Sequence, residues 1–412
     1  MNQERHARLL PVSEDARVAP IELFFDLVFV FSLTQVTALM GADLSGRGIL
    51  RGLLVLALLW WAWVGYAWLA NVVQADEGLG RASMFAAMAA MFVVAVTVPE
   101  AFEDLDGGLD GPVVIAFAYL AVRLLHLAMF VLLSGDDPGL RRQVWRFSPS
   151  VFGSTTVLLI ASQLEGTAQT FAWLAALIVD YLGTILAGAS GWRLRSASHF
   201  AERHGLILIV ALGESIVAIG VGVARIPISW PIIVGAVLGL SLAACLWWAY
   251  FDVVSIAAER ALRRASGEVA ARLARDAYSY LHLPMVAGIV LTALGMEQVL
   301  EYVGHETLHG LSDPLALLPL GALYGGVVCF LTAHVAFKYR TWRRLSVRRL
   351  VVSAVVVALI PLAAQLPALA ALGLLVAVMV AMIVSEVVRY AEDRERVRHE
   401  MGEGHEEVGI SS

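Results

Sequence analysis

Apolar residues in this chain fall into blocks of about 20, the length a helix needs to cross roughly 30 Å of hydrocarbon. Twelve such blocks can be read along the 412 residues, at about 21–40, 49–70, 82–99, 112–134, 148–164, 169–190, 204–224, 231–255, 279–300, 314–337, 348–366 and 368–390. Backbone polar groups inside a bilayer must be satisfied within the protein, and long uninterrupted apolar runs do this as helices. Only 16% of the residues are charged and the mean hydropathy is +0.76, against roughly 25% charged residues in soluble domains. These features predict an all-α polytopic membrane protein with about 12 transmembrane helices. The fifth block is the weakest, and only Pro367 separates the last two.

The first 20 residues carry Arg5, Arg8, Arg17, Glu4, Glu14 and Asp15 without an apolar core, so they read as a cytoplasmic segment and not as a signal peptide. Basic residues recur on alternate connections: 25 of the 29 lie in the N-terminal segment, every second loop and the C-terminal tail. The positive-inside rule then places both termini on the cytoplasmic side of the membrane. Cys245 and Cys329 both fall inside apolar blocks, so no disulfide framework is expected. The charged, mixed-sign stretch 391–412 reads as a disordered cytoplasmic tail.

An internal repeat divides the chain. ELFFDLVFVFSLTQ (22–35) sets against ERHGLILIVALGES (202–215), with Glu22 opposite Glu202. Trp60-Trp61-Ala62 sets against Trp247-Trp248-Ala249, and His126 against His334, in the same order. The expected organisation is a first six-helix half (21–190), a cytoplasmic linker (191–203) and a second six-helix half (204–390). An even number of spans per half makes the halves parallel, related by an axis along the membrane normal.

Polar residues inside the blocks are the candidates for chemistry. A carboxylate at membrane depth costs on the order of 2.5–3.5 kcal/mol unless paired, protonated or facing water. Glu22 and Asp26, four residues apart, share one helix face about 6 Å apart along the axis. Arg123 and His126 share a face of the fourth block, and an Arg there cannot neutralise itself, so Asp26 or Glu22 is its expected partner. Glu214, near the middle of the seventh block, is flanked by Gly213, which would admit a close backbone or ligand. Glu22, Asp26, Arg123, His126, Glu202 and Glu214 are therefore the candidate ion or transport path. The competing reading is a static ion-pair network that pins helices. Asp180, His282 and Glu386 also lie at membrane depth, whereas Asp252, Glu297 and His334 lie nearer block ends, where an interfacial position is expected.

His305-Glu306-Thr307-Leu308-His309 matches H-E-x-x-H, which on a helix places two zinc ligands one turn apart. On a short external loop with no third ligand following, His305, Glu306 and His309 are only a weak surface-metal candidate. The paired tryptophans, Trp60, Trp61, Trp63 and Trp68 with Trp247 and Trp248, are expected to pack the bundle. No phosphate loop, nucleotide fingerprint or cofactor attachment site occurs, so no cofactor, nucleic-acid partner or enzymatic activity is expected. The expected partners are the lipid bilayer and a small solute or ion, with room for a homo-oligomer.

Two stretches carry a resemblance. Pro20 to Val30, with Glu-Leu-Phe-Phe-Asp-Leu-Val-Phe-Val, and Glu202 to Ser215, ending Leu-Gly-Glu-Ser, resemble the bacterial low temperature requirement protein A family, and the apolar layout matches over essentially the whole chain. The resemblance implies a polytopic membrane protein named for growth in the cold, and no substrate. Glu22-x-Phe24-x-Asp26-x-Val28-Phe29 also resembles the first-helix signature of two-times-six-helix potassium channels. It departs from that signature at Phe25, where serine is expected, and at Gly205-Leu206 in the second half. The expected function is transport of a small solute or ion, with proton coupling as an option. The alternatives are a cation channel and a non-transporting scaffold or cold-stress factor.

Overall fold

The computed structural model describes residues 12–13, 16–135, 137–189, 191–224, 226–304 and 309–389. Most of the N-terminal segment and the tail expected to be disordered lie outside them. The first part of the chain forms α1 (Pro20–Ala42), α2 (Gly46–Val72), α3 (Gly78–Thr97), α4 (Gly111–Ser134), α5 (Pro138–Ala161) and α6 (Gly166–Ala187). The second part forms α7 (Ala197–Gly222), α8 (Trp230–Phe251), the short α9 (Val254–Arg264) and α10 (Gly267–Leu273), then α11 (His282–Gly304), α12 (Leu317–Trp342), α13 (Val347–Ala363) and α14 (Ala368–Arg389). A π-helical turn, Ala274–Tyr280, joins α10 to α11. Each of the twelve apolar blocks coincides with one long helix, and no strand occurs among the described residues.

Ten of the long helical segments are long and apolar enough to cross a membrane. The exceptions have local causes. α5 opens with Arg141, Arg142 and Arg146 and contains Pro149, while α13 is 17 residues long, with Arg348 and Arg349 in its first turn and Pro361 inside it. α5 nonetheless traverses the bundle, because its two ends join opposite sets of connections. At one end, Arg193 pairs with Asp137 at the start of α5 (2.7 Å) and Asn71 Nδ2 donates to Ser196 O (2.6 Å). At the other end, beyond α5, the buried Arg51 donates to Glu103 (3.1 Å), to the carbonyl of Gly166 (3.3 Å) and to Thr170 Oγ1 (3.2 Å).

Burial separates central from peripheral helices. α2 has 89% of its apolar stretch buried against 33% for α6, so the tryptophan-rich α2 is the axle of the first part. α11 and α12 form the core of the second part. A Cβ on Gly288 would sit 2.6 Å from Gly326 O, and one on Gly295 would sit 2.5 Å from Leu323 Cβ. Only glycine permits this approach of two backbones, the device by which helices pack where lipid supplies no hydrophobic drive. Large apolar side chains cover the outer faces, including Phe85 and Phe92 of α3 and Leu182 and Leu186 of α6, as a lipid-facing surface requires.

α1 and α7 run side by side in the same direction. Their contacts climb in step, from Glu22 with His199 and Arg203, through Asp26 with Arg203, to Thr34 with Glu214.

Candidate functional site

The charged residues of the interior separate into three clusters. The first lies on the seam between α1 and α7. Glu22 stands in the first turn of α1, where its Oε1 accepts from the Ala19 N–H (3.1 Å) and so helps to satisfy a free donor at the helix start. Both of its oxygens also lie against His199 Nε2 (3.0 and 3.1 Å). Arg203, one turn after His199, places Nε 3.4 Å from Glu22 Oε2, while its Nη1 donates to Glu22 O (2.8 Å) and to Asp26 Oδ2 (3.1 Å). Trp63 of α2 donates its indole N–H to Asp26 Oδ1 (2.9 Å), with Arg203 over its ring at 5.4 Å. All five side chains are buried. Two carboxylates thus share one guanidinium and one imidazole. The carboxylates of the group therefore outnumber its guanidiniums two to one.

Further along the seam, the buried Glu214 lies 2.6 Å from Thr34 Oγ1. The rise from Asp26 to Thr34 is about 12 Å, and the buried side chains of Phe29 and Leu33 occupy the interval on α1. The space around Gly213 is open: nothing lies within 4 Å of where its Cβ would be. Glu202 is exposed at the rim, where it accepts from the Val18 N–H (3.4 Å).

The second cluster corrects the expected partner of Arg123. Arg123 donates to Asp180 on α6 (2.8 Å) rather than to either α1 acid, and Tyr119 donates to the other Asp180 oxygen (2.6 Å). The reason is direction: α4 turns this face toward α5 and α6, and Tyr66 of α2 stands between His126 and Phe25 of α1. His126 lies flat on Gly65, whose Cβ would be 3.2 Å from the ring, and neither of its nitrogens has a hydrogen-bond partner among the described residues.

The third cluster lies within the second part. Arg349 grips Glu386 with two nitrogens (3.1 and 2.9 Å) and turns Nη1 to His334 Nδ1 (2.6 Å) and Ala249 O (3.0 Å). His334, expected near the interface, is fully buried here because Arg349 folds inward from the start of α13.

Sequence reasoning missed Arg203, His199 and Arg349, having assigned them to cytoplasmic connections. A signal for the first two was present: Ser196 caps α7 by accepting from the His199 N–H (3.2 Å), so the helix starts seven residues before its apolar run. His199 and Arg203 then fall at i and i+4 on one face. Of the external metal candidate, His305 and Glu306 lie outside the described residues, and His309 stacks on Tyr302 at 3.9 Å. Among the described residues no group of three or more His, Cys, Asp or Glu side chains could hold a metal ion.

An all-helical bundle with lipid-length apolar helices and buried ionic clusters defines the class: a multi-pass integral membrane protein in contact with the bilayer. Residues 17–384 match the family model described as Bacterial low temperature requirement A protein (LtrA), and the chain belongs to that family. It is similar to the uncharacterized protein RA0937 of Rhizobium meliloti (strain 1021), at 29% identity over 289 residues covering 66% of this chain and 67% of that protein. No solved structure matches.

Proposed function

We propose that this protein is a transporter of a small cation or protonatable solute, built of two parallel six-helix halves (21–190 and 204–390) joined by the 191–203 connection. Both termini would lie in the cytoplasm of a bacterial plasma membrane. The observation that carries the reading is the excess of carboxylate over guanidinium on the buried seam between α1 and α7. A cluster with that imbalance, at the junction where one half would move against the other, is suited to hold a proton or cation in transit. Glu214 is the next acid along the same seam, and Phe29 and Leu33 between the two favour a gated path over a continuous aqueous pore.

Several contacts support the two-half organisation. In each half the first long helix packs on the second and third, the third on the fourth, the fourth on the fifth, the fifth on the sixth, and the second on the sixth. α1 and α7 are parallel, as they must be when six crossings separate them. Under the register that sets Glu22 against Glu202, Thr34 is equivalent to Glu214, and these two residues touch. Contact between equivalent positions is what an axis passing through the seam produces.

The test is flux into proteoliposomes under K⁺, Na⁺ and H⁺ gradients imposed singly, for wild type, Asp26→Asn and Glu214→Gln. Saturable flux that falls at least tenfold in a folded variant supports the transporter, and unsaturated current supports a channel. Absence of flux under every ion gradient in wild-type protein contradicts ion transport and favours the scaffold reading.

A further inference from the structure

Away from the seam, a cleft is bounded by α2, α4, α5 and α6, the α6–α7 connection, α10 and the π-helical turn. Its walls are mainly the faces of Trp61, Trp68, Phe147 and Trp192. Into this apolar lining come side chains with unanswered polar atoms. Arg123 Nε and both ring nitrogens of His126 are buried without a hydrogen-bond partner among the described residues. Buried polar groups are ordinarily paired, and an orphaned set converging on one cavity is the signature of a missing partner. Arg Nε–H can only donate, and a neutral imidazole donates once, so the missing partner is an oxygen acceptor.

Charge narrows the choice further. Arg123 is balanced by Asp180, but Arg275 on the cavity wall and Arg340 both bind the single carboxylate Asp276 (2.8 and 2.9 Å). The charged side chains that line the cavity, Arg123 and Arg275, are both cationic. Ring faces alone would also suit an organic cation, but guanidiniums on two sides oppose it. The π-helical turn brings Arg275 and Ser279 to the same wall, and such turns recur at functional sites.

We propose that this cavity binds a small planar carboxylate, with its oxygens on Arg123 and His126 and its apolar body between the tryptophan and phenylalanine faces. The site is separate from the seam and does not rest on the transport reading. The test is calorimetric titration of the purified full-length protein with benzoate, benzyl alcohol and benzylammonium as probes. The expected result is saturable benzoate binding at least tenfold tighter than benzyl alcohol, with no saturable benzylammonium binding. His126→Leu and, independently, Arg275→Gln each weaken benzoate at least fivefold, while Asp26→Asn on the seam leaves it unchanged. Absence of saturable benzoate binding to wild type overturns the proposal. So does equal affinity for benzoate and benzyl alcohol, or undiminished benzoate binding in both variants. If His126→Leu does not fold, the wild-type selectivity and Arg275→Gln decide the matter.

Discussion

On the seam between α1 and α7, Arg203 faces two carboxylates, Glu22 and Asp26, and shares them with His199 and Trp63. Within the second part, Arg349 meets one carboxylate, Glu386, with two near-parallel hydrogen bonds. Arg123 with Asp180 in the first part is also one to one, and Tyr119 takes up the other carboxylate oxygen. A matched buried pair is balanced in charge and ties neighbouring helices together. An unmatched cluster has more than one way to satisfy itself, and protonation of His199 or of one acid changes which. The interior therefore contains two kinds of ionic site, charge-matched pairs inside each part and an unmatched cluster between them.

The largest expected effect separates the clusters by removing the shared cation. Arg203→Leu strands two buried acids, and breaking such an interaction costs about 3–5 kcal/mol. Thermal unfolding in detergent should show a large loss of stability, or the protein should fail to accumulate. Next, the matched pair is expected to be replaceable as a unit. Arg123→Leu with Asp180→Leu should retain near-wild-type stability, since exchanging a buried pair for apolar residues is often neutral or better, whereas Arg123→Leu alone should be severely destabilised. A double substitution as unstable as the single one would break the comparison.

Smaller effects sharpen it. Asp26→Asn keeps the size of the side chain and its bond from Trp63, so stability should change by no more than about 1–2 kcal/mol while flux falls at least tenfold. His199→Gln should flatten the dependence of flux on pH, because it removes the imidazole that balances the second carboxylate, and an unchanged profile would exclude His199 from the titrating group. Trp63→Phe, the mildest change, deletes one hydrogen bond to Asp26 and should cost about 1 kcal/mol, with flux reduced only severalfold.

The helices were legible because a bilayer imposes length and hydropathy together, and even the Arg-bearing α5 announced itself as the weakest block. Their ends were less so. α7 extends to Ala197 through Ser-Ala-Ser-His, which reads as a polar connection until the Ser196 cap is recognised, and that extension holds the two residues that complete the seam. The cost of burying Glu22 and Asp26 could be read from the sequence, but their partner could not. Arg123 and Arg203 were both available, and only the packing of α4 against α5 and α6 decides that Arg123 turns to Asp180. His334 illustrates the same limit, since its burial depends on Arg349 folding back from the next helix.

The most direct test compares ion flux, under matched gradients, in two charge-neutralised proteins. One has the seam pair replaced (Arg203→Leu with Asp26→Leu) and the other has the matched pair replaced (Arg123→Leu with Asp180→Leu), each reconstituted after its fold has been verified by size-exclusion chromatography and thermal unfolding. The account predicts that flux is abolished in the first and largely retained in the second. Flux that survives loss of the seam pair, or vanishes equally in both, would contradict the assignment of transport to the seam.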